Sequence, residues 1–288
     1  MAFRQRSSST SAGSLLLLLL FLLIQTNFIT AELTSLLFGA GWVLANNNII
    51  VYDPTIESAS VFAPTGIKSS INGLALDRAT EILYYAAVGD VANPEERGIY
   101  YMSLQYNSSA RIAPLTDMGI VDFTTRSIPQ NACWYKNSYW FIVTETLILR
   151  RVFFAYSGFR PTAIASYIDY TISAPSAQIP LMRFGDVDID VNTDILYGTT
   201  TRGQFFKINL NNLAAPLPFT QLVAPDTGDP TLQITFNIDY SILYGQHQVD
   251  GAWYTIDRNT GALTKLSFTV VSDLTSVDLA GALPSIGT

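Results

Sequence analysis

Apolar positions in this chain come in runs of about four to eight residues, alternating or continuous, with polar, Gly or Pro turns between them. The 3.6-residue period of an amphipathic helix is missing after residue 31. One phrase recurs: an apolar stretch ends in Asp or Asn, a short polar turn follows, and the next run opens aliphatic and then aromatic. Three copies are plain. They are Leu74-Ala75-Leu76-Asp77 to Ile82-Leu83-Tyr84-Tyr85, Val187-Asp188-Ile189-Asp190 to Ile195-Leu196-Tyr197-Gly198, and Phe236-Asn237-Ile238-Asp239 to Ile242-Leu243-Tyr244-Gly245. Weaker copies pair Asn131-Ala132-Cys133 with Tyr139-Trp140-Phe141 and leave Leu36-Leu37-Phe38-Gly39 without a preceding strand.

With Phe38, Tyr84, Trp140, Tyr197 and Tyr244 as equivalents, the steps are 46, 56, 57 and 47 residues, the period of a propeller blade. Each period divides into four strand-length pieces; in the fourth they run over 186–190, 194–200, 204–209 and 219–223. The first repeat has pieces at 36–43, 48–52 and 58–62 but no room for an inner strand, whereas 273–279 has inner-strand character and no blade after it. The pattern therefore predicts an all-β, five-bladed β-propeller over residues 32–288, one domain, whose first blade is closed by the C-terminal strand so that no open edge remains. A six-bladed ring is the alternative, with an extra hairpin in one of the longer periods.

The N-terminus reads differently. Arg4 and Arg6, a Ser-rich run and the apolar stretch Leu15 to Ile24 form a secretory signal peptide over residues 1–31, too short in its apolar part to span a bilayer, with cleavage expected after Ala31. The expected product is a secreted, extracellular protein with no membrane association after cleavage. In that compartment Asn107-Ser108-Ser109 is the acceptor triplet for N-glycosylation in the mature chain, placed in a polar stretch that predicts an exposed loop. The single thiol, Cys133, lies in an aromatic context that predicts burial.

Composition narrows the chemistry. Charged residues make up 14% of the chain and the net charge is -7, and losing Arg4 and Arg6 makes it more acidic, which argues against a nucleic-acid partner. One Cys and one His exclude an intramolecular disulfide framework, multi-thiolate metal sites and His-pair metal motifs. Any Ser-His or Cys-His catalysis would have to use His247, for which no nucleophile or carboxylate is assigned by spacing. Glycoside hydrolysis needs two carboxylates about 5 to 10 Å apart; Asp186 with Glu145 is arithmetically allowed and no motif selects it.

The phrases Asp190-to-Gly198 and Trp253-Tyr254-Thr255-Ile256-Asp257-Arg258-Asn259-Thr260-Gly261 resemble strand signatures of secreted β-propellers of the broad NHL, YWTD and lactonase-like superfamily, over most of residues 33–281. In a propeller the innermost strands line a central channel, so polar residues interrupting those strands mark the prospective site. Counting two residues back from the Asp or Cys that ends each inner strand gives Ala75, Asn131, Asp188 and Asn237; two further back lie Gly73, Pro129, Asp186 and Thr235. Asp186 and Asp188 fall on one face of their strand. With Asn131 and Asn237 they compose an all-oxygen metal site suited to Ca²⁺ or Mg²⁺, and the resemblance to lactonase-like propellers implies the same, their metal being held by carboxylate and Asn side chains. The alternative is that these acids are solvated rim residues or turn-formers. Mutual repulsion of Asp186 and Asp188 implies that Asp188→Asn leaves the metal-free fold intact or slightly stabilised. Asp77, Asp190, Asp239 and Asp257 recur before hairpins and read as turn residues, and Tyr84, Tyr197 and Tyr244 as packing between blades.

Two function classes follow. One is a noncatalytic binding or extracellular-matrix propeller contacting protein or glycan. The other is a metal-dependent lactonase or esterase-like hydrolase using the central channel, with Ca²⁺, or else Mg²⁺, as the candidate cofactor.

Overall fold

The computed structural model describes residues 35–43, 46–87, 89, 93–120, 129–143, 146–174, 185–214, 216–270 and 278–284. The leader 1–31, with Leu15 to Ile24 and the Ala31 site, and Glu145 lie outside them.

Strands dominate, with two short 3-10 turns at Pro94–Glu96 and Leu115–Met118. The first sheet holds β1 (Ser35–Val43), β2 (Asn46–Asp53) and β3 (Ser58–Pro64); the second holds β4 (Ile71–Asp77), β5 (Ile82–Ala87), β6 (Gly98–Ser103) and β7 (Ser108–Ala113). Next come β8 (Cys133–Trp134), β9 (Tyr139–Ile142), β10 (Ile148–Ser157) and β11 (Arg160–Ser173), then β12 (Val187–Asp190), β13 (Ile195–Thr199), β14 (Phe205–Asn209) and β15 (Leu217–Val223). These two antiparallel meanders form one eight-stranded sheet, joined where Ile172 and Ser173 pair in parallel with Leu217 and Pro218. The last meander is β16 (Leu232–Phe236), β17 (Leu243–His247), β18 (Ala252–Ile256) and β19 (Leu263–Thr269). Finally β20 (Asp278–Pro284) returns to pair antiparallel with β1, on the side away from β2. The sequence places that closing strand at 273–279; the strand observed lies at 278–284, and 271–277 are outside the described residues.

The same turn chemistry makes the hairpins. Asp53 Oδ1 accepts from the Thr55 and Ile56 amides, Asp77 Oδ1 from Ala79, Asp190 Oδ1 from Asn192, Asp239 Oδ1 from Ser241 and Asp257 Oδ1 from Asn259 and Thr260. These carboxylates satisfy loop amides in place of a strand partner.

A second strand is covered by neighbouring sheets on both faces and is apolar on both; Ile82–Ala87 of β5 is buried throughout. Apolar clusters fill each space between neighbouring four-stranded units. Phe38, Ile49 and Ala63 meet Leu74, Leu83 and Met102; Tyr84 and Ile99 meet Phe141 and Phe154; Trp140 and Leu149 meet Leu196 and Phe206. Tyr197 and Phe205 meet Ile234 and Phe236, and Trp253 and Tyr244 meet Leu37 and Tyr52 of the first sheet. The repeated Tyr84 stacks on Trp134 and Phe154 of the next meander, and Tyr197 packs edge-on against Phe236. Contacts between inner strands run from β20 to β4, β4 to β8, β8 to β12, β12 to β16 and back to β20. Four-stranded meanders whose first strands surround one axis, with hydrophobic cores between them, are a propeller arrangement.

Candidate functional site

Strand register sets the levels of the channel. The equivalent aromatics Phe38, Tyr84, Trp140, Tyr197 and Tyr244 pair with Ala280, Ala75, Cys133, Asp188 and Thr235, which therefore share one level on the inner strands. Two residues back, on the same face, lie Gly73, Asn131, Asp186, Gln233 and Asp278. Asn131, Asp186, Gln233 and Asp278 are all buried, so this level is a buried polar ring.

Asn237 is not part of it. Asn237 and Ile242 stand as far apart as Asp77 and Ile82 or Asp190 and Ile195, so Asn237 occupies the hairpin position and Asp239 lies inside the turn. Its Oδ1 accepts from the Ile242 amide at 2.9 Å and its Nδ2 donates to Ser241 Oγ at 3.0 Å. Counting from strand-ending residues mis-set two of the repeats, since Cys133 lies a pleat before its hairpin and Asp239 a pleat beyond the equivalent position. Asn131 joins the ring level with Asp186 rather than with Asp188; its Oδ1 accepts from the Ile142 amide at 2.9 Å, and its Nδ2 is buried without a hydrogen-bond partner.

An inner strand has one edge with no strand beside it, and its buried amides need other acceptors. The channel carboxylates are those acceptors. Asp186 Oδ2 accepts from Ile234 N at 2.8 Å, and Oδ1 from Val187 N at 2.7 Å. Asp188 Oδ2 accepts from Phe236 N at 2.8 Å and from Thr235 Oγ1 at 3.0 Å, and Oδ1 from Ile189 N at 2.8 Å. Asp278 Oδ2 accepts from Leu74 N. Asp186 and Asp188 thus lie on one face, as their alternation requires, and fasten β12 to β16; Asp278 fastens β20 to β4.

Asp186 and Asp278 also meet each other, from strands that are not neighbours in the ring. Burial pushes the Asp186 carboxyl well above the usual range, and the facing Asp278 adds to the shift. Asp278 is pushed up to about 7, burial outweighing the hydrogen bonds from Asp186 and from the Leu74, Leu279 and Gly73 amides. Two buried carboxyls in contact retain a proton between them because both cannot ionise at low cost. Burial raises Asp188 as well, with amide donors and the Arg78 charge pulling the other way.

Two arginines stand at the hairpin ends of the inner strands. Arg78, just after β4, donates to Ile238 O at 2.7 Å and lies 4.1 Å over the Tyr240 ring. Arg258 bonds Asp190 Oδ2 at 2.8 Å and Tyr240 O at 3.1 Å. The space left among Arg78, Cys133, Trp134, Asp188 and Tyr240 is about 10 Å³, room for one water at most. Cys133 is buried and free, and burial together with Asp188, Asp186 and Asp278 holds its thiol far above the usual range, which disfavours the reactive thiolate.

Among the described residues no three His, Cys, Asp or Glu side chains are grouped to hold a metal ion. His247 ends β17, a layer outside the channel, with Nδ1 2.7 Å from Asp250 Oδ1, a partner that sequence spacing did not reveal. Asn107 is exposed in the β6–β7 turn. Asp278, Gln233 and Arg78 are the site residues that sequence reasoning missed; the first was hidden because β20 reaches its sheet from the far end of the chain.

No protein-family model and no curated protein matches the sequence. Among solved structures the chain is similar to TolB from Acinetobacter baumannii (TM-score 0.49, 12% identity, 86% of this chain and 57% of that one). It is also similar to a chain of the nidogen/laminin complex (0.49, 11%, 86% and 97%) and to streptogramin B lyase (0.43, 10%, 83% and 67%). These neighbours are β-propellers. This chain spans little more than half the length of the TolB chain. At such scores the propeller assignment rests on the chain's own strand order and inter-sheet cores.

Proposed function

We propose that this chain is a secreted, five-bladed, noncatalytic propeller that binds protein or glycan outside the cell. The blade count is supported by the cycle of inner-strand contacts β20, β4, β8, β12, β16, with β20 completing the first blade. The noncatalytic assignment is carried by one observation: the channel carboxylates accept the amides of the next inner strands, and about 10 Å³ remains beside Asp188. A hydrolase site needs a carboxylate free to take a proton from water or hold a cation, and space for substrate.

A second reading keeps Ca²⁺ in the channel, serving a lactonase or esterase-like activity. It is favoured by the Asp186–Asp278 contact, where a cation would replace the shared proton, with Asn131 at the same level. Esters and lactones offered to the secreted protein with calcium or with chelator separate the two. Our reading expects no chelator-sensitive turnover; calcium-dependent hydrolysis lost in Asp186→Asn would establish the second.

A further inference from the structure

Away from the channel, β10 pairs with β9 only from Leu149 to Val152, so Phe153–Ser157 run on with β11 as a hairpin that overhangs its sheet. Its tip faces the β4–β5 and β6–β7 turns of the preceding meander across a cleft of about 590 Å³, within the range of small-ligand sites. The Tyr156 hydroxyl lies 3.1 Å from that of Tyr84, a buried β5 residue, which pins the overhang in place.

Exposed aromatic rings are concentrated here. Of the four among the described residues, Tyr106 (71% exposed) and Phe159 (82%) line the cleft from opposite sides, and Tyr156 precedes the lining residue Ser157 in the chain. Half-exposed Tyr101 forms part of the wall, and Thr80, Ser103, Gln105, Ser108 and Ser157 supply hydroxyl and amide groups between the rings. Two charged groups line it, Glu81 and Arg160, of opposite sign. Rigid rings with apolar faces, surrounded by neutral donors and acceptors, suit a ligand that has C–H faces and many hydroxyls and carries no net charge.

We propose that this cleft binds a neutral oligosaccharide, its sugar faces stacked on Tyr106 and Phe159 and its hydroxyls bonded to the Ser, Thr and Gln side chains. The proposal rests on the binding-propeller reading and names its ligand class and its place. The site is independent of the channel acids, so Asp186→Asn leaves it intact.

The test uses the full secreted chain carrying Asn107→Gln, so that no sugar of its own stands between Tyr106 and Ser108, and neutral tetrasaccharides of glucose, mannose, xylose, galactose and N-acetylglucosamine, each at millimolar concentration, in saturation-transfer NMR and calorimetry. At least one is expected to bind, with affinity reduced about tenfold in Tyr106→Ala and in Phe159→Ala, lost in the double variant and retained in Phe159→Trp. Both side chains are exposed, so melting temperatures stay at the wild-type value. If a tetrasaccharide binds but the double variant binds it equally well, the cleft is wrong while the binding reading survives. If none binds, the oligosaccharide proposal is wrong, and the ester and lactone assay independently judges the noncatalytic reading.

Discussion

Asp188 was expected from sequence to repel Asp186 and to tolerate loss of charge. Its surroundings reverse that expectation, because Phe236 N, Thr235 Oγ1 and Ile189 N all donate to it. An amide in its place turns one acceptor into a donor facing donors. Asp188→Asn should therefore destabilise the fold by about 1–3 kcal/mol, measured by urea unfolding; a neutral or stabilising result would mean that the amides are satisfied otherwise. Asp278 gives a pH dependence of definite sign. Its folded pKa, about 7, lies above the value of about 3.9 in an unfolded chain, so the folded state binds the proton more tightly. The contribution is complete below the unfolded value and lost as pH rises through about 7. Raised Asp186 acts in the same direction, whereas half-buried Asp194 and exposed Asp239, Asp250 and Asp257, all lowered, lose stabilisation only in more acidic solution. Unfolding free energy should rise on going from about pH 8 to about pH 5 in the wild type, and Asp278→Asn should flatten that rise.

The repeat phrase carried most of the element-level information. Tyr84, Tyr197 and Tyr244 sit on second strands in equivalent register, and Asp77, Asp190 and Asp257 form the turns assigned to them. Levels within the channel were less legible, because a two-residue pleat leaves a strand reading unchanged when the count slips by two, as it did at Asn131 and Asn237. The partner of Asp186 was hidden for another reason: β20 has no hairpin to β1, so nothing local aligns Asp278 with the other inner strands. That strand also supports two sheets, pairing with β1 and supplying the acceptor for Leu74 of β4. A chain ending at residue 277 should lose its cooperative melting transition and expose apolar surface to dye, and a peptide of residues 278–288 should restore the transition. Unchanged melting of the truncated chain would remove β20 from the fold's closure.

At the scale of the whole molecule, the meanders are held by apolar clusters between sheets, and the polar ring supplies acceptors for strand edges at the centre. Expression in a secreting cell should deliver protein to the medium beginning at Glu32, with sugar on Asn107, as read by N-terminal sequencing and by deglycosylation; retention in membranes with Leu15 to Ile24 intact would contradict secretion. On the reading proposed above, the channel acids fasten the ring through the amides they accept. Thermal melting of the purified chain at neutral pH, with millimolar calcium against millimolar chelator, tests it most directly, since a cation bound to the native state must stabilise it. Superimposable transitions are expected. A higher melting temperature in calcium, abolished by Asp186→Asn, would contradict that reading.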